Sequence, residues 1–350
     1  MSDIVTVKTH EELLNLDLQS LIRKNFIEAT EAGKVIYTKA NDTIIIDKGN
    51  LTCELKIINS LVKKEEDTEK QSQKIDKLEN VQKFDPFLNP DKELVVVDDL
   101  FSNYKILLNK FPVSENHFLL VTKNFVKQDT LLSPSELTCI FNILQNVNGR
   151  KNDKENEGGI FAFFNNGPAS GFSQQHKHVQ FMKYPLKESK PFPDYVVEGK
   201  EFFIPDARYP DTDPLFKSDL SFKHFILPLP KKFESEQEKQ ELLSFSFIEL
   251  FKKILNFFKK INAETNDDYK DDLPISYNFL MNENWMMIVP RQKSHYKETL
   301  GVNAVGYLGL LLAKNQETKD LVLKDGVDEI LKTCGFPIQL DFGKEDEYDY

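Results

Sequence analysis

The chain has 350 residues, 40% of them hydrophobic, with 28 phenylalanines and a formal net charge of −11. That length exceeds a typical single core, so one large domain or two fused units are expected. The acidic balance argues against general attraction to nucleic acid or a membrane surface, and no run approaches the ~20 apolar residues of a membrane span.

Cys53, Cys139 and Cys334 are too few and too scattered for a disulfide framework, and residues 1–16 lack an apolar leader. A reducing compartment is expected, the cytosol in the simplest reading, with the nucleus also compatible. Residues 10–31 predict a helix, with Leu13, Leu14, Leu18, Leu21 and Ile22 at helical spacing. Short strands are expected at 35–37, 43–46 and 53–58, and the charged and amide-rich stretch 63–83 reads as a solvated insertion. Phe84-Asp85-Pro86-Phe87-Leu88-Asn89-Pro90 is a stiff turn, followed by strands at 94–97, 104–108 and 117–122. Ser133-Pro134-Ser135-Glu136 is a capping box with proline at the first helical position; Leu137, Ile140, Phe141 and Leu144 form the stripe behind it, and Gly149 a stop. A strand at 159–164, a loop at 165–175 and a strand at 176–182 complete the first half.

The second half repeats part of this order. A strand at 222–227 precedes a helix at 234–261, with Leu242, Phe245, Leu250, Ile254 and Phe258 inward. A hairpin of 276–281 and 285–290 then turns at Asn282-Glu283-Asn284. Helix, strand, turn, strand occurs twice, with Trp285, Met287 and Val289 roughly where His176, His178 and Gln180 stand in the first copy. The expectation is an α+β fold with pseudo-duplicated halves, 1–190 and 191–338. Helix-like segments at 303–314 and 317–334 precede an acidic, frayed tail at 339–350.

The stretch from Gly171 to Phe181 carries the chemistry. In a strand, His176, His178 and Gln180 share one face, with neighbours roughly 6.6–6.8 Å apart, while Lys177, Val179 and Phe181 take the other. Three readings of that polar face compete. It is a structural face satisfied by its neighbours; it offers two nitrogens to zinc, with a third ligand from His10, His117, His224, His295 or an acidic residue; or it holds a nucleophile for phosphorus. An unperturbed imidazole, with a pKa of about 6.5, is mostly neutral and competent at cytosolic pH. Such chemistry needs donors aimed at phosphoryl oxygens. The loop Asn165-Asn166-Gly167-Pro168-Ala169-Ser170-Gly171-Phe172-Ser173-Gln174 can supply them, Gly167 and Gly171 allowing close backbone approach. His117 opens an apolar strand and reads as structural; Trp285 reads as core.

The segment from Asn166 to Gln180, ending in His-x-His-x-Gln, resembles the histidine-triad superfamily. It is similar in particular to the galactose-1-phosphate uridylyltransferase-like branch, in which glutamine replaces the third histidine. Within that branch it looks like the fungal diadenosine tetraphosphate phosphorylases, or ATP adenylyltransferases. The likeness extends over 34–39, Leu107-Leu108-Asn109-Lys110-Phe111-Pro112, 116–122, Tyr277-Asn278-Phe279, 285–291 and 306–313. Lys177 departs from the hexose-1-phosphate uridylyltransferases, which carry proline there.

The resemblance implies a histidine-triad-like antiparallel sheet flanked by helices. It also implies phosphorolysis of a dinucleoside tetraphosphate to ADP and ATP through an adenylyl group on His178. Gln180 would hold a phosphoryl oxygen and His176 would orient His178. Asn165, Asn166, Gly167, Ser170, Gly171, Ser173 and Gln174 match the phosphate loop, and Asn278, Met287 and Lys293 the second-half contacts. Lys56 is expected at the phosphates, with Lys63 its rival. The implied partners are dinucleoside polyphosphate, inorganic phosphate, ATP, ADP and AMP, with neither nucleic acid nor membrane; no cofactor is required, and a divalent ion is left open. The alternatives are nucleotidyl transfer to sulfate or sugar phosphate, a metal-dependent hydrolase using the two histidines, and a silent nucleotide-binding protein.

Overall fold

The computed structural model describes residues 5–37, 42–58, 85–149, 159–186, 190–206, 208–209, 212–265 and 272–340. The charged stretch 63–83, Lys63 with it, and the tail beyond 340 lie outside them. The strands are β1 (Thr6–Val7), β2 (Asp42–Ile46), β3 (Cys53–Ile57), β4 (Val95–Leu100), β5 (Tyr104–Leu108), β6 (Phe118–Thr122), β7 (Ile160–Asn166), β8 (His178–Lys183), β9 (Phe225–Pro228), β10 (Tyr277–Met281), β11 (Trp285–Pro290), β12 (His295–Tyr296), β13 (Leu300–Gly301) and β14 (Leu310–Ala313). The helices are α1 (His10–Asn15), α2 (Leu18–Glu31), α3 (Pro134–Gly149), α4 (Phe192–Val197), α5 (Glu236–Thr265), α6 (Gln316–Asp325) and α7 (Val327–Cys334).

Among the described residues, the main sheet runs β1-β4-β5-β6-β8-β7-β10-β11-β9. Its middle is a mirrored pair of units. The first unit is β6, α3, β7 and β8; the second is β9, α5, β10 and β11; they join where β7 and β10 pair antiparallel, Asn165 opposite Asn278. All the pairs within the two units and between them are antiparallel. A smaller sheet of β14, β3 and β2 lies apart.

The period-2 rule sorts each central strand onto two faces. Val179 and Phe181 of β8, Ala162 and Phe164 of β7, and Phe279 and Met281 of β10 pack under the helices. From α3 and α5 come Ile140, Phe141, Leu144, Leu243, Leu250, Ile254 and Phe258. The other face is divided. Over the second unit, Met287, Trp285 and Val289 are covered by C-terminal segments and the smaller sheet. Beside the first unit, Leu107, Leu119 and Val121 form a small cluster with Phe87 and Val95, and among the described residues a hollow opens there. His178 and Gln180 face that hollow.

Local rules set several boundaries. The predicted helix 10–31 is two helices, because the Asp17 carboxylate accepts from Ser20 N–H at 3.2 Å and starts a new one. Leu14 accordingly leaves the buried stripe. Residues 35–37 are not a strand: Lys34 and Val35 donate back to Ala29 O and close the helix end. The capping box forms as expected, Ser133 N–H donating to Glu136 Oε2 at 2.7 Å and Glu136 N–H to Ser133 Oγ at 3.2 Å. That carboxylate also takes the buried Lys177 Nζ at 2.7 Å, pinning the segment before β8 to the start of α3. In α5 Phe245 points outward and Leu243 and Phe247 inward, a shift of the stripe from the expected register. Segment 303–314 is not a helix. A 3-10 turn at Ala304–Leu308 stops at Gly309, whose φ of 87° and packing against Thr52 O turn the chain into β14. Segment 317–334 likewise breaks into α6 and α7 at Gly326, φ 83°.

The thiols are inert: burial pushes Cys53 up to about 12 and raises Cys139 and Cys334 as well. His224 is fully buried, with Nδ1–H donating to Phe222 O and Nε2 accepting from Lys217 N–H. Burial lowers its pKa from 6.5 to about 4. Below pH 6.5 the unfolded chain therefore takes a proton that the native protein refuses. Native stability should fall as pH drops through that window, by about 3 kcal/mol in total. Urea unfolding of wild type and His224→Gln at pH 7 and pH 4 checks this: the variant, with no titrating group there, should lose correspondingly less. Equal losses would contradict it.

Candidate active site

Strand β8 begins only at His178; His176 sits just before it, bridged to Lys127. The reason is a wedge. The fully buried Gln128 side chain enters where β7 and β8 part, its Oε1 accepting His178 N–H at 2.8 Å. Its amide donates to Asn165 O at 2.9 Å and His178 O at 3.3 Å. This replaces ladder bonds with side-chain ones and lets the loop 167–175 leave the sheet.

The two histidines have different jobs in the geometry. His178 Nδ1–H donates to His176 O at 2.9 Å, which holds its proton on Nδ1 and leaves Nε2 with a lone pair. His176 has both ring nitrogens engaged: Nδ1 with Asp85 Oδ2 at 2.8 Å, Nε2 with Thr122 Oγ1 at 2.9 Å and Thr122 O at 2.8 Å. The pair thus does not turn two nitrogens to one point as a shared metal ion would need. Among the described residues no group of three or more His, Cys, Asp or Glu side chains is gathered for a metal.

A cavity of about 300 Å³ opens over this face, bordered by His178, Gln180, Gly171, Ser173 and Gln174, with Phe87, Lys110 and Asn303 on other sides. A second hollow of about 470 Å³ adjoins it and shares Gly171, Ser173, Asn303, Val305 and Leu312 as a common wall. Two chambers on either side of one glycine-serine segment suit a ligand with two ends.

The predicted loop divides into cavity wall and scaffold. Gly171, Ser173 and Gln174 reach the cavity. Asn165, Ser170 and Asn278 do not line it: Asn278 Nδ2 donates to Asn165 Oδ1 at 2.8 Å and to Ser170 O at 2.9 Å, and Ser170 Oγ closes the turn on Gly167 O at 2.7 Å. Asn166 turns away, donating to Gln128 O at 3.2 Å. Gly167 and Gly171 sit at φ 83° and 84°, where a Cβ would stand 2.4 Å from Ile275 O and 2.5 Å from Val302 O. Close approach is what they supply, here to neighbouring chain segments. Met287 is fully buried in the core beneath the second unit. Lys293 is exposed and Lys56 pairs with Glu54 at 3.3 Å, neither bordering a cavity. Lys56 stands beside Leu312, a residue of the shared wall.

Four residues were not read as site residues from sequence. Lys110 borders the cavity in the segment expected only to mark family likeness. His117, expected to be structural, also borders it, its Nε2 3.1 Å from Gln180 Oε1. Gln128 had no visible signal, since an isolated glutamine in a polar loop is ordinary. Arg291, fully buried, ties the loop to the second unit through Ser170 O at 3.1 Å and Val302 O at 2.7 Å.

A strand-borne imidazole with a fixed tautomer, a glutamine beside it and a glycine-rich loop, set in a doubled antiparallel unit, belong to nucleotidyltransferases of the histidine-triad type, and this chain is one. The description "Ap4A phosphorylase N-terminal domain" matches residues 8–193, and "ATP adenylyltransferase C-terminal domain" matches residues 218–337. "Diadenosine 5',5'''-P1,P4-tetraphosphate phosphorylase 2" of Saccharomyces cerevisiae is 41% identical over 261 residues, 72% of this chain and 76% of that protein. "Protein APA1" of the same yeast is 35% identical over 273 residues, 76% of this chain and 80% of that one. The crystal structure of yeast Ap4A phosphorylase Apa2 in complex with Ap4A superposes with a TM-score of 0.72 at 33% identity, covering 91% of this chain and 97% of that one. The chain belongs to the Ap4A phosphorylase family.

Proposed function

We propose that this protein cleaves diadenosine tetraphosphate with inorganic phosphate, giving ADP and ATP by way of an adenylyl group on His178. The observation that carries this reading is the His178 tautomer. With Nδ1–H held by His176 O, Nε2 is the nucleophile at the cavity. Nε2 attacks an α-phosphorus, the bond to the bridging oxygen breaks, and ATP leaves. A phosphate oxygen then attacks the same phosphorus, the P–N bond breaks, and its electron pair returns to Nε2. The second product is ADP. The related yeast enzyme's complex with Ap4A supports the substrate class.

Gln180 takes the role of oxygen holder. His117 Nε2–H donating to Gln180 Oε1 directs the amide NH2 toward the phosphoryl group. Gly171, Ser173 and Gln174 receive phosphate charge on the wall between the chambers, with Lys110 the cation on the cavity rim. Asn165, Ser170 and Asn278 act from behind by holding that wall in place. A cytosolic setting, with the nucleus also compatible, suits the three reduced cysteines.

Incubating the protein with diadenosine tetraphosphate, with and without phosphate, tests the reading. Phosphate-dependent release of ADP together with ATP is the expected result. Release of AMP plus ATP at the same rate without phosphate would sink it.

A further inference from the structure

We propose that Asp85 is a positioning residue for this transfer, one carboxylate that both fixes His176 behind the nucleophile and seats Phe87 over it. The inference rests on the phosphorolysis reading above. Asp85 Oδ2 accepts from His176 Nδ1–H at 2.8 Å, with the two side chains only 12% and 2% exposed. Its other oxygen accepts Phe87 N–H at 2.9 Å. That is an Asx turn, and it directs the Phe87 ring to within 5.2 Å of the His178 ring and 5.8 Å of His176.

The His176 ring is enclosed. Thr122 engages Nε2, and Phe125 packs edge-on at 5.4 Å. With its nitrogens committed to protein, His176 touches the reaction through its carbonyl, the acceptor of His178 Nδ1–H. Holding the ring holds the peptide that sets the nucleophile's tautomer and direction, and misplacement by about 1 Å at such a point can cost about 10²-fold in rate.

The same carboxylate closes a wall. Pro86, Phe87, Asn89 and Pro90 border the cavity, and the Asp85–His176 contact ties that turn to the catalytic strand. Phe87 lies against the His178 ring at the border of the cavity where the adenylyl group would wait. If water entered there, its oxygen would bond to the α-phosphorus, the P–Nε2 bond would break with its pair returning to nitrogen, and a proton would pass to solvent. AMP would then replace ADP. Excluding water is what keeps the intermediate for phosphate.

Three variants separate the two tasks. All are assayed on diadenosine tetraphosphate with saturating phosphate, reading kcat, KM and the AMP-to-ADP ratio. Asp85→Ala should lower kcat about 10²-fold, leave KM within about 3-fold and raise AMP to ADP by about 10-fold or more. Asp85→Asn keeps an oxygen for Phe87 N–H but faces His176 with an amide, so kcat should fall while the product ratio stays. Phe87→Ala should raise the ratio while lowering kcat less than Asp85→Ala does, because the Asp85–His176 contact stays in place. A merely structural role would shrink the active fraction and leave KM and the ratio unchanged in all three. An unchanged ratio in both Asp85→Ala and Phe87→Ala, or a wild-type kcat in Asp85→Asn, overturns the proposal. Wild type in the same assay tests the underlying reading separately: if it forms no ADP, that reading fails first.

Discussion

His178→Ala should lose at least about 10⁴-fold in kcat for diadenosine tetraphosphate phosphorolysis while binding the dinucleotide within a few-fold of wild type. The split follows from where the side chain stands. His178 is one border residue among many in the first of two adjoining chambers and does not border the second, so truncating it removes little binding surface. In the proposed reaction, however, its Nε2 forms the covalent bond, and no neighbour is placed to replace it. His176 has both nitrogens engaged, His117 is directed at Gln180, and the cysteines are buried with raised pKa values. Single-turnover quench with substrate labelled in the adenosine should show label on the wild-type protein and none on the variant. Near-normal turnover would remove the nucleophile assignment, and loss of binding equal to the loss of rate would make the side chain a binding group.

The reactive strand was legible in the sequence because its face pattern breaks the usual rule. Alternation along 176–181 sets two histidines and a glutamine against Lys177, Val179 and Phe181, and the structure keeps that division: Val179 and Phe181 under the helices, His178 and Gln180 at the cavity. The capping box of α3 and the 282–284 turn were legible for the same kind of reason, since each is a local rule satisfied by neighbouring residues. The doubling of helix, strand, turn and strand was legible as order, and the mirrored units of the sheet are its spatial form.

What stayed hidden depends on distance along the chain. Segment 303–314 has a helical apolar pattern, yet β3, some 250 residues earlier, takes Leu310–Ala313 as a parallel strand. Tertiary pairing overrode local preference there. The site's roles were hidden likewise. Asn165 and Ser170 look like phosphate donors because amides and hydroxyls near glycines often are, and the family resemblance adds Asn278, but their partners are one another. His117 looks structural because it opens an apolar strand; only the pairing of β6 with β8 brings its ring to Gln180.

Arg291 is the strongest case of a hidden residue, and its replacement should be the most destabilising change near the site. The guanidinium is fully buried and makes five donor contacts. Nε donates to Cys334 O at 3.1 Å, Nη1 to Ser170 O at 3.1 Å and to Asn278 Oδ1, and Nη2 to Lys293 O and Val302 O, both at 2.7 Å. The group also lies 5.1 Å from the Tyr307 ring centroid. Two effects oppose each other in Arg291→Met. Removing a buried charge relieves its desolvation, which favours the variant. Against this stand hydrogen bonds from a charged donor, each worth about 1.5–3 kcal/mol net, and five acceptors left in a dry interior. The second effect wins, because the charge is already spread over five dipoles, and methionine fills the volume without donating to any of them. A loss of about 4 kcal/mol or more is expected. That is a large share of the roughly 5–15 kcal/mol that holds a domain folded. The contacts also join the glycine-rich 167–175 loop, β10, the 302–303 turn and the end of α7, so any variant that folds should bind dinucleotide more weakly as the Ser170 turn relaxes. Equilibrium urea unfolding and a dinucleotide titration on the same sample check both effects, and an unfolding midpoint equal to wild type would show that the five bonds merely cancel the cost of burying the cation.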